Sequence, residues 1–103
     1  MPRLLDAAEL ERQLAGLPGW HGSSEMIRSA YTFPDFLTGI QAVGAAANEA
    51  EELNHHPDID IRWRTVSFAL STHDSGGVTQ LDIELAHRIH DSCTQVGGTT
   101  ATG

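Results

Sequence analysis

Two adjacent histidines, preceded by glutamates and followed by a proline, are the side chains in this 103-residue sequence best suited to moving protons. His55 and His56 stand directly before Pro57, and Glu51 lies four residues before His55. Another imidazole, His73, follows the long strand-like run of the chain. Imidazole exchanges protons near neutral pH, and a neighbouring carboxylate favours its charged form and selects its tautomer. The cluster therefore predicts acid–base catalysis, in which one imidazole donates a proton while another accepts one.

Spacing alone leaves two other interpretations of this cluster open. His55, His56 and His73 could form a metal site with a carboxylate, although adjacent histidines rarely bind one ion and no standard zinc spacing is present. They could also be solvated loop residues beside a helix end. Consecutive side chains of an extended backbone point to opposite sides, so the two adjacent rings are not expected to face a ligand in the same way.

The composition is that of an acidic globular protein, with 40% apolar and 19% charged residues and a formal net charge of −8. A chain with this charge repels phosphate backbones and anionic lipid, so we expect neither nucleic-acid nor membrane binding. The N-terminus lacks the apolar segment of a secretory signal, and a single cysteine, Cys93, fits a reducing compartment, so we expect a cytoplasmic location. The length predicts a single domain over residues 1–95, followed by a disordered tail at 96–103.

Helices at both ends of the chain are predicted from their capping residues. Asp6 followed by Glu9 has the spacing of a capping box, and an apolar stripe follows it. Thr79 followed by Asp82 repeats that spacing before the last helix. Asp82 therefore has a structural explanation, since it stands at the third helical position, where a capping-box carboxylate belongs.

The middle helix is predicted to start at Pro34, where a missing N–H is tolerated, and to run to about Leu53. The small residues 44–47 would let another element approach closely, either the sheet of the same chain or a second subunit. The three-four spacing of apolar residues predicts a buried face consisting of Phe36, Ile40, Val43, Ala47 and Ala50.

Four strands are predicted from alternating apolar residues. A short extended piece from Trp20 and a strand over 26–33 form a hairpin. After Pro57, the apolar phase flips near Arg64–Thr65, which indicates either a tight turn or a bulge. We favour two antiparallel strands joined by a turn over one long bulged strand. The order helix, strand, strand, helix, strand, strand, helix predicts an α+β fold: a four-stranded antiparallel sheet with three helices packed on one face.

Several of these residues together resemble a known family signature. Glu51, His55-His56-Pro57, Trp63, His73 and Asp82 have the types and spacing found in the pterin-4a-carbinolamine dehydratases. The resemblance runs from about Leu5 to Ile89. It includes the segments Leu17-Pro18-Gly19-Trp20, Phe33-Pro34-Asp35-Phe36, Ser71-Thr72-His73-Asp74 and Gly76-Gly77-Val78-Thr79.

The resemblance implies a function. Members of this family dehydrate 4a-hydroxytetrahydropterin to quinonoid dihydropterin, which supports regeneration of tetrahydropterin for aromatic amino acid hydroxylases. It implies no metal and no organic cofactor, a neutral pterin substrate, and a homodimer or homotetramer. Some members bind other proteins, so the alternative is a non-catalytic or moonlighting module that binds a pterin or a protein. Candidate subunit contacts are the small residues 44–47 and an exposed sheet edge.

The resemblance also implies roles for individual residues. His55 and His73 correspond to the acid–base pair, without deciding which is acid and which is base, and Glu51 to the carboxylate that poises His55. His56 corresponds to a substrate-contacting histidine, and Asp82 to a supporting carboxylate. Further residues expected at the pterin edge are Pro57, Ser71, Thr72 and Asp74. We expect His55 and His73 to line one pocket from opposite walls, with His56 at its rim.

Overall fold

An antiparallel sheet carries helices on one of its faces in the computed structural model, which describes residues 2–101. The elements are α1 (Ala7–Ala15), β1 (His21–Gly22), β2 (Ile27–Thr32), α2 (Phe36–Leu53), β3 (Asp58–Arg62), β4 (Thr65–Leu70), a 3₁₀ turn (His73–Ser75), α3 (Gln80–Gln95) and β5 (Thr99–Thr100). The strand order is β1-β2-β4-β3, and β5 pairs with β2. Buried and less buried side chains alternate along β4, as expected when helices cover one face. The predicted α+β fold is confirmed.

The outer helices start where their capping residues predict. Asp6 and Glu9 form a capping box at α1, and Thr79 and Asp82 form another at α3. These motifs satisfy backbone N–H groups that a helix start leaves free, using side chains only three residues apart.

The start of α2 was predicted wrongly. The helix begins at Phe36, and Asp35 caps it by accepting a hydrogen bond from the Thr38 backbone N–H at 2.8 Å. Pro34 therefore lies outside the helix and is not its first residue. A carboxylate at the cap satisfies a free N–H directly, and this fixes the helix start after the proline.

The buried face of α2 was also predicted wrongly: of the predicted residues only Ala50 is buried. The buried residues are Gly39, Ala42, Ala46 and Ala50, which follow the same three-four spacing one residue away from the predicted stripe. Small side chains let the helix approach its own sheet, since a methyl group added at Gly39 would lie 3.4 Å from the Phe33 ring. The large apolar residues Phe36, Leu37 and Ile40 are left 45%, 76% and 38% exposed.

The predicted disordered tail is wrong for the part of it that the structure describes. Gly98 donates its N–H to the Cys93 carbonyl at 2.9 Å, and Ala101 donates to the Ala30 carbonyl at 2.8 Å. Between them β5 pairs with β2 and adds a strand to the expected four. This pairing uses backbone groups alone, so it leaves no apolar pattern in the sequence. Residues 102–103 lie outside the described residues.

The predicted pair of antiparallel strands is confirmed in β3 and β4. Ile59 lies opposite Phe68 and Ile61 opposite Val66, so these isoleucines share the helix-bearing face of the sheet. β3 is the last strand of the sheet path, and all five of its residues are exposed. The turn that follows contains Trp63, which has a positive φ of 55° and is 74% exposed.

Candidate functional site

The end of α2 directs His55 towards the start of α3. Asn54 ends the helix in a left-handed conformation, with φ 49° and ψ 45°, and its successor His55 still donates its N–H to the Ala50 carbonyl at 3.0 Å. The imidazole Nε2 of His55 lies 2.5 Å from Oδ1 of Asp82. The Asp82 side chain is fully buried and that of His55 is 11% exposed. A buried carboxylate and an almost buried imidazole are thus paired across 27 residues of sequence.

Asp82 is held in place by two hydroxyl-bearing residues. Its second oxygen, Oδ2, accepts the Thr79 backbone N–H at 2.9 Å and the Thr72 hydroxyl at 2.8 Å. Because an ionised carboxylate only accepts, the Thr72 oxygen must in turn accept from the Thr79 hydroxyl, 2.8 Å away. The Thr79 oxygen accepts the Leu81 N–H at 3.3 Å. Each hydroxyl in this buried series of hydrogen bonds can therefore donate in only one direction, and this fixes the orientation of the carboxylate.

The same argument fixes the tautomer of His55. With the Asp82 carboxylate accepting, Nε2 of His55 carries the hydrogen, and Nδ1 of the neutral ring keeps its lone pair. A carboxylate behind an imidazole also stabilises the imidazolium that forms when Nδ1 takes a proton. This arrangement suits a general base whose position is held by buried groups.

Glu51 is not the partner of His55. Its Oε2 lies 2.5 Å from Nε2 of His56, and both side chains are largely exposed, 74% and 57% respectively. The expectation that Glu51 contacts His55 required the helix to continue through residue 55. The left-handed residue Asn54 instead ends the helix and turns His55 away from Glu51. The cluster therefore contains one buried and one exposed imidazole–carboxylate pair.

His73 is exposed and lies in the 3₁₀ turn that follows β4. The residue before it, Thr72, anchors this turn, since its backbone N–H donates to the Gly77 carbonyl at 2.9 Å and its hydroxyl binds Asp82. Asp82 thus contacts both His55 and the residue adjacent to His73. That the two rings line opposite walls of one pocket stays a prediction.

The remaining sequence-predicted residues surround these groups in different ways. The Ser71 hydroxyl donates to the Glu25 carbonyl at 2.8 Å, so its side chain joins the turn to the hairpin. Pro57 is half-buried, and Asp74 is exposed in the 3₁₀ turn. The sequence did not point to the Thr72 hydroxyl as a partner of Asp82, because the two are ten residues apart and lie in different elements.

The sulfhydryl and phenol of the core are poor candidates for this chemistry. Burial raises the pKa of Cys93 to about 12, so the reactive thiolate is scarce at neutral pH. Burial likewise raises the pKa of Tyr31 to about 12. The Tyr31 hydroxyl is hydrogen-bonded to Trp20 Nε1 at 2.8 Å and to His90 Nδ1 at 2.9 Å. Cys93 therefore packs in the core.

Other possible binding features lie away from the histidines. A surface trough of about 460 Å³ runs over the sheet, lined by residues that include Arg28, Ser67 and Asp58, and none of the clustered histidines borders it. Within residues 2–101, no three His, Cys, Asp or Glu side chains converge as a metal-holding group. No helix in that range is long and apolar enough to cross a membrane.

The fold is an α+β layer, and just after the end of α2 two imidazoles are hydrogen-bonded to carboxylates. Together these features define a candidate acid–base enzyme of small size. The family model described as pterin 4 alpha carbinolamine dehydratase matches residues 3–92. A Mycobacteroides abscessus protein provisionally named pterin-4-alpha-carbinolamine dehydratase is 52% identical over 94 residues, covering 91% of this chain and 97% of that one. A Mycobacterium tuberculosis protein with the same provisional name is 50% identical over 86 residues, covering 84% and 92%.

Two solved structures are similar to this chain in fold. A transcriptional coactivator/pterin dehydratase from Brucella melitensis superposes with a TM-score of 0.82 at 34% identity, covering 85% of this chain and 96% of that one. A pterin dehydratase-like RuBisCO assembly factor of the alpha-carboxysome shares the fold at 20% identity, with a TM-score of 0.58. The chain therefore belongs to the pterin-4a-carbinolamine dehydratase family, whose enzymes are hydro-lyases.

Proposed function

We propose that this protein dehydrates a 4a-hydroxytetrahydropterin to quinonoid dihydropterin and water by histidine acid–base catalysis. In this reaction the C4a hydroxyl leaves as water after it receives a proton. The N5–H proton goes to a base, and its electron pair forms the double bond between N5 and C4a. The observation that carries the proposal is the buried pair of His55 and Asp82, which provides a fixed proton acceptor.

His55 is the base in this scheme. Its Nδ1 accepts the N5 proton while Asp82, hydrogen-bonded to Nε2, stabilises the resulting imidazolium. His73, on the exposed turn anchored through Thr72, then supplies the proton to the departing hydroxyl. This assignment separates the acid from the base by environment: one imidazole is almost buried against a carboxylate and the other is exposed.

The residues around the two histidines contact the pterin. His56, oriented by Glu51, is the substrate-contacting imidazole at the rim. Pro57, Ser71, Thr72 and Asp74 line the pterin edge, and exposed backbone of the 3₁₀ turn offers hydrogen bonds to the ring. Asp82 acts through His55 and does not touch the substrate, because its side chain is fully buried.

In the cell the same reaction would serve regeneration of tetrahydropterin in the cytoplasm, with a functional link to an aromatic amino acid hydroxylase. The assembly is a homodimer or homotetramer. A second candidate, a pterin- or protein-binding module without catalysis, draws support from the Brucella melitensis relative, whose name pairs a coactivator with a dehydratase.

A dehydration assay tests the proposal and separates the two candidates. Purified protein is added to freshly prepared 4a-hydroxytetrahydropterin, and formation of quinonoid dihydropterin is followed by absorbance. We expect acceleration over buffer, unchanged by a chelator, and a loss of rate in His55→Ala and His73→Ala. His87→Ala, an exposed histidine on α3, is the matched control. Pterin binding by the unmodified chain with no rate above buffer would favour the binding module.

A further inference from the structure

The trough of about 460 Å³ lies on the face of the sheet that is turned away from the helices. Cross-strand pairing sets its residues in rows. Arg28 of β2 and Asp58 of β3 both lie opposite Ala69 of β4, one on each side. His21 of β1 extends this row beyond Arg28. Because neighbouring strands are about 4.8 Å apart, the backbone positions of Arg28 and Asp58 are separated by about 10 Å. A cation and a carboxylate thus stand on opposite walls.

The floor between these walls is made of small side chains. Ala30 and Ser67, which pair with each other in the next row, lie beside Ala69, and all three are half-buried. Small residues in the middle of a sheet face, with longer side chains on both sides, leave a concave surface. Its volume lies within the range of small-molecule sites, about 300–1,000 Å³. The trough therefore has room for a ligand of modest size.

The cation on one wall has no carboxylate partner within residues 2–101. The arginines Arg3, Arg62 and Arg88 all form ion pairs with acidic side chains, and Arg28 does not. Its nearest polar contact is the Met26 sulfur, 4.0 Å from Nη2, and a thioether is a weak acceptor. In a chain with 14 acidic residues, this leaves an exposed guanidinium available for an anionic group of a ligand.

The carboxylate on the other wall is equally available. Asp58 is exposed and forms no ion pair in the described part of the chain. Asp60, the next acidic residue on the same face, is instead occupied by Arg62, whose Nε lies 2.9 Å from Oδ2. The trough therefore offers one guanidinium and one carboxylate, of opposite charge and without protein partners, on either side of an uncharged floor.

We propose that this trough binds a free α-amino acid with an apolar side chain. The ligand carboxylate pairs with the Arg28 guanidinium, whose planar fork suits a carboxylate, and the ligand ammonium pairs with Asp58. The two charged groups of an α-amino acid, with a hydrogen bond at each end, span about 9 Å, close to the separation of the two walls. The apolar side chain then lies over Ala30 and Ser67.

Simple ions fit this arrangement less well than a zwitterion. An anion such as phosphate would use Arg28 but would be repelled by Asp58 and by the net charge of −8. An amine would use Asp58 but would face the Arg28 guanidinium. An α-amino acid satisfies both groups and carries no net charge. None of the clustered histidines borders the trough, so this site is separate from the proposed pterin site and does not depend on it.

Titration with L-phenylalanine, followed by the amide NMR signals of the protein, tests the site directly. The aromatic ring shifts the signals of amides close to it. We expect saturable shifts concentrated at Ala30, Ser67 and Ala69, with a dissociation constant in the millimolar range, because ion pairs at exposed positions contribute little. The absence of saturable shifts overturns the proposal, as do shifts concentrated at His55 and Thr72.

Matched ligands and variants assign each charge. Arg28→Gln should weaken binding of L-phenylalanine roughly three- to fivefold, but should not weaken phenylalaninamide, which lacks the carboxylate. Asp58→Asn should have the same effect on L-phenylalanine and should not weaken N-acetylphenylalanine, which lacks the ammonium. Arg12→Gln on α1 and Asp91→Asn on α3 remove the same charges at other exposed positions and should leave the affinity unchanged.

The remaining outcomes decide between ligand classes and between sites. If N-acetylphenylalanine binds the unmodified protein as tightly as L-phenylalanine, the trough is an anion site only and the proposal fails. It also fails if Arg28→Gln weakens phenylalaninamide as much as L-phenylalanine. His55→Ala should retain full affinity for L-phenylalanine, and a loss there would place the amino acid in the proposed pterin site. The dehydration assay is unaffected by any of these results.

Discussion

Replacement of Thr72 by valine probes the buried hydrogen-bond chain behind His55. The substitution keeps the shape of the side chain but removes the hydroxyl that donates to Asp82 at 2.8 Å and accepts from Thr79 at 2.8 Å. Thr72 is 7% exposed, and Thr79 and Asp82 are fully buried. Water therefore cannot readily replace the lost partner. The Thr79 hydroxyl loses its acceptor, and Oδ2 of Asp82 loses one of two donors.

The expected loss of stability follows from those contacts. A hydrogen bond to a charged group contributes about 1.5–3 kcal/mol, and an unsatisfied buried group costs about 1–3 kcal/mol. Because such terms overlap, we expect the free energy of unfolding of Thr72→Val to fall by about 2–3 kcal/mol. Domains of this kind have stabilities of about 5–15 kcal/mol, so the variant remains folded for kinetics. Urea denaturation followed by circular dichroism measures the change.

The kinetic effect separates positioning from binding. With Asp82 less firmly held, the His55 ring loses its fixed orientation, and we expect kcat for dehydration to fall roughly 10- to 100-fold. The backbone of the 3₁₀ turn is unaltered, so KM changes less than kcat. Thr72→Ser restores the hydroxyl and should recover most of kcat. A Thr72→Val protein with wild-type kcat would refute the view that this chain of hydroxyls positions His55.

The remaining predictions concern charge and backbone. Asp82→Asn should lower kcat by at least about 100-fold, because an amide presents a donor where His55 and the hydroxyl chain require an acceptor. The hydrogen bonds and charge of Arg3 hold the pKa of Glu9 at about 2, so Glu9 contributes stability above its ordinary value near 4.5 and loses that contribution as pH falls towards 2. Glu9→Gln should therefore be less stable than wild type at pH 7 in urea denaturation, with the difference vanishing near pH 2. Gly44→Ala should raise the free energy of unfolding by about 0.5–1 kcal/mol, because alanine favours the helix and its methyl group would meet nothing within 4 Å.

Each of these predictions has a contrary result. Full activity in Asp82→Asn would show that His55 does not depend on a carboxylate. A Glu9→Gln deficit that persists at pH 2 would mean that the effect is not electrostatic, and Arg3→Gln should reproduce the deficit at pH 7. A destabilising Gly44→Ala would indicate a close contact at that helix surface, which a packed partner subunit would create.

The capping residues illustrate which parts of the fold could be predicted from the sequence. The structure confirms the capping boxes of Asp6 with Glu9 and of Thr79 with Asp82. They could be predicted because each motif is complete within a few residues. The strand pair β3–β4 is confirmed for a similar reason, since its turn is recorded in a local change of apolar phase. Local rules therefore located most elements.

The buried face of α2 could not be predicted in this way. The size and apolarity of Phe36 and Ile40 predicted that they would be buried. In the structure the residues buried against the sheet are instead Gly39, Ala42 and Ala46. Close helix–sheet approach requires small side chains, and a one-residue rotation of the stripe depends on the facing surface. The β5 strand could not be predicted from the sequence because it pairs with β2 through backbone groups alone.

For the site, the sequence by itself determined the candidates: the histidines, Glu51 and Asp82 all stand at spacings that indicate the family. Only the tertiary structure decided their partners. A left-handed residue at Asn54 separates Glu51 from His55, and the fold returns Asp82 to His55 across 27 residues. Hydrogen bonds form between groups that are close in space. The path of the folded chain between two residues sets that proximity, and their spacing in the sequence does not.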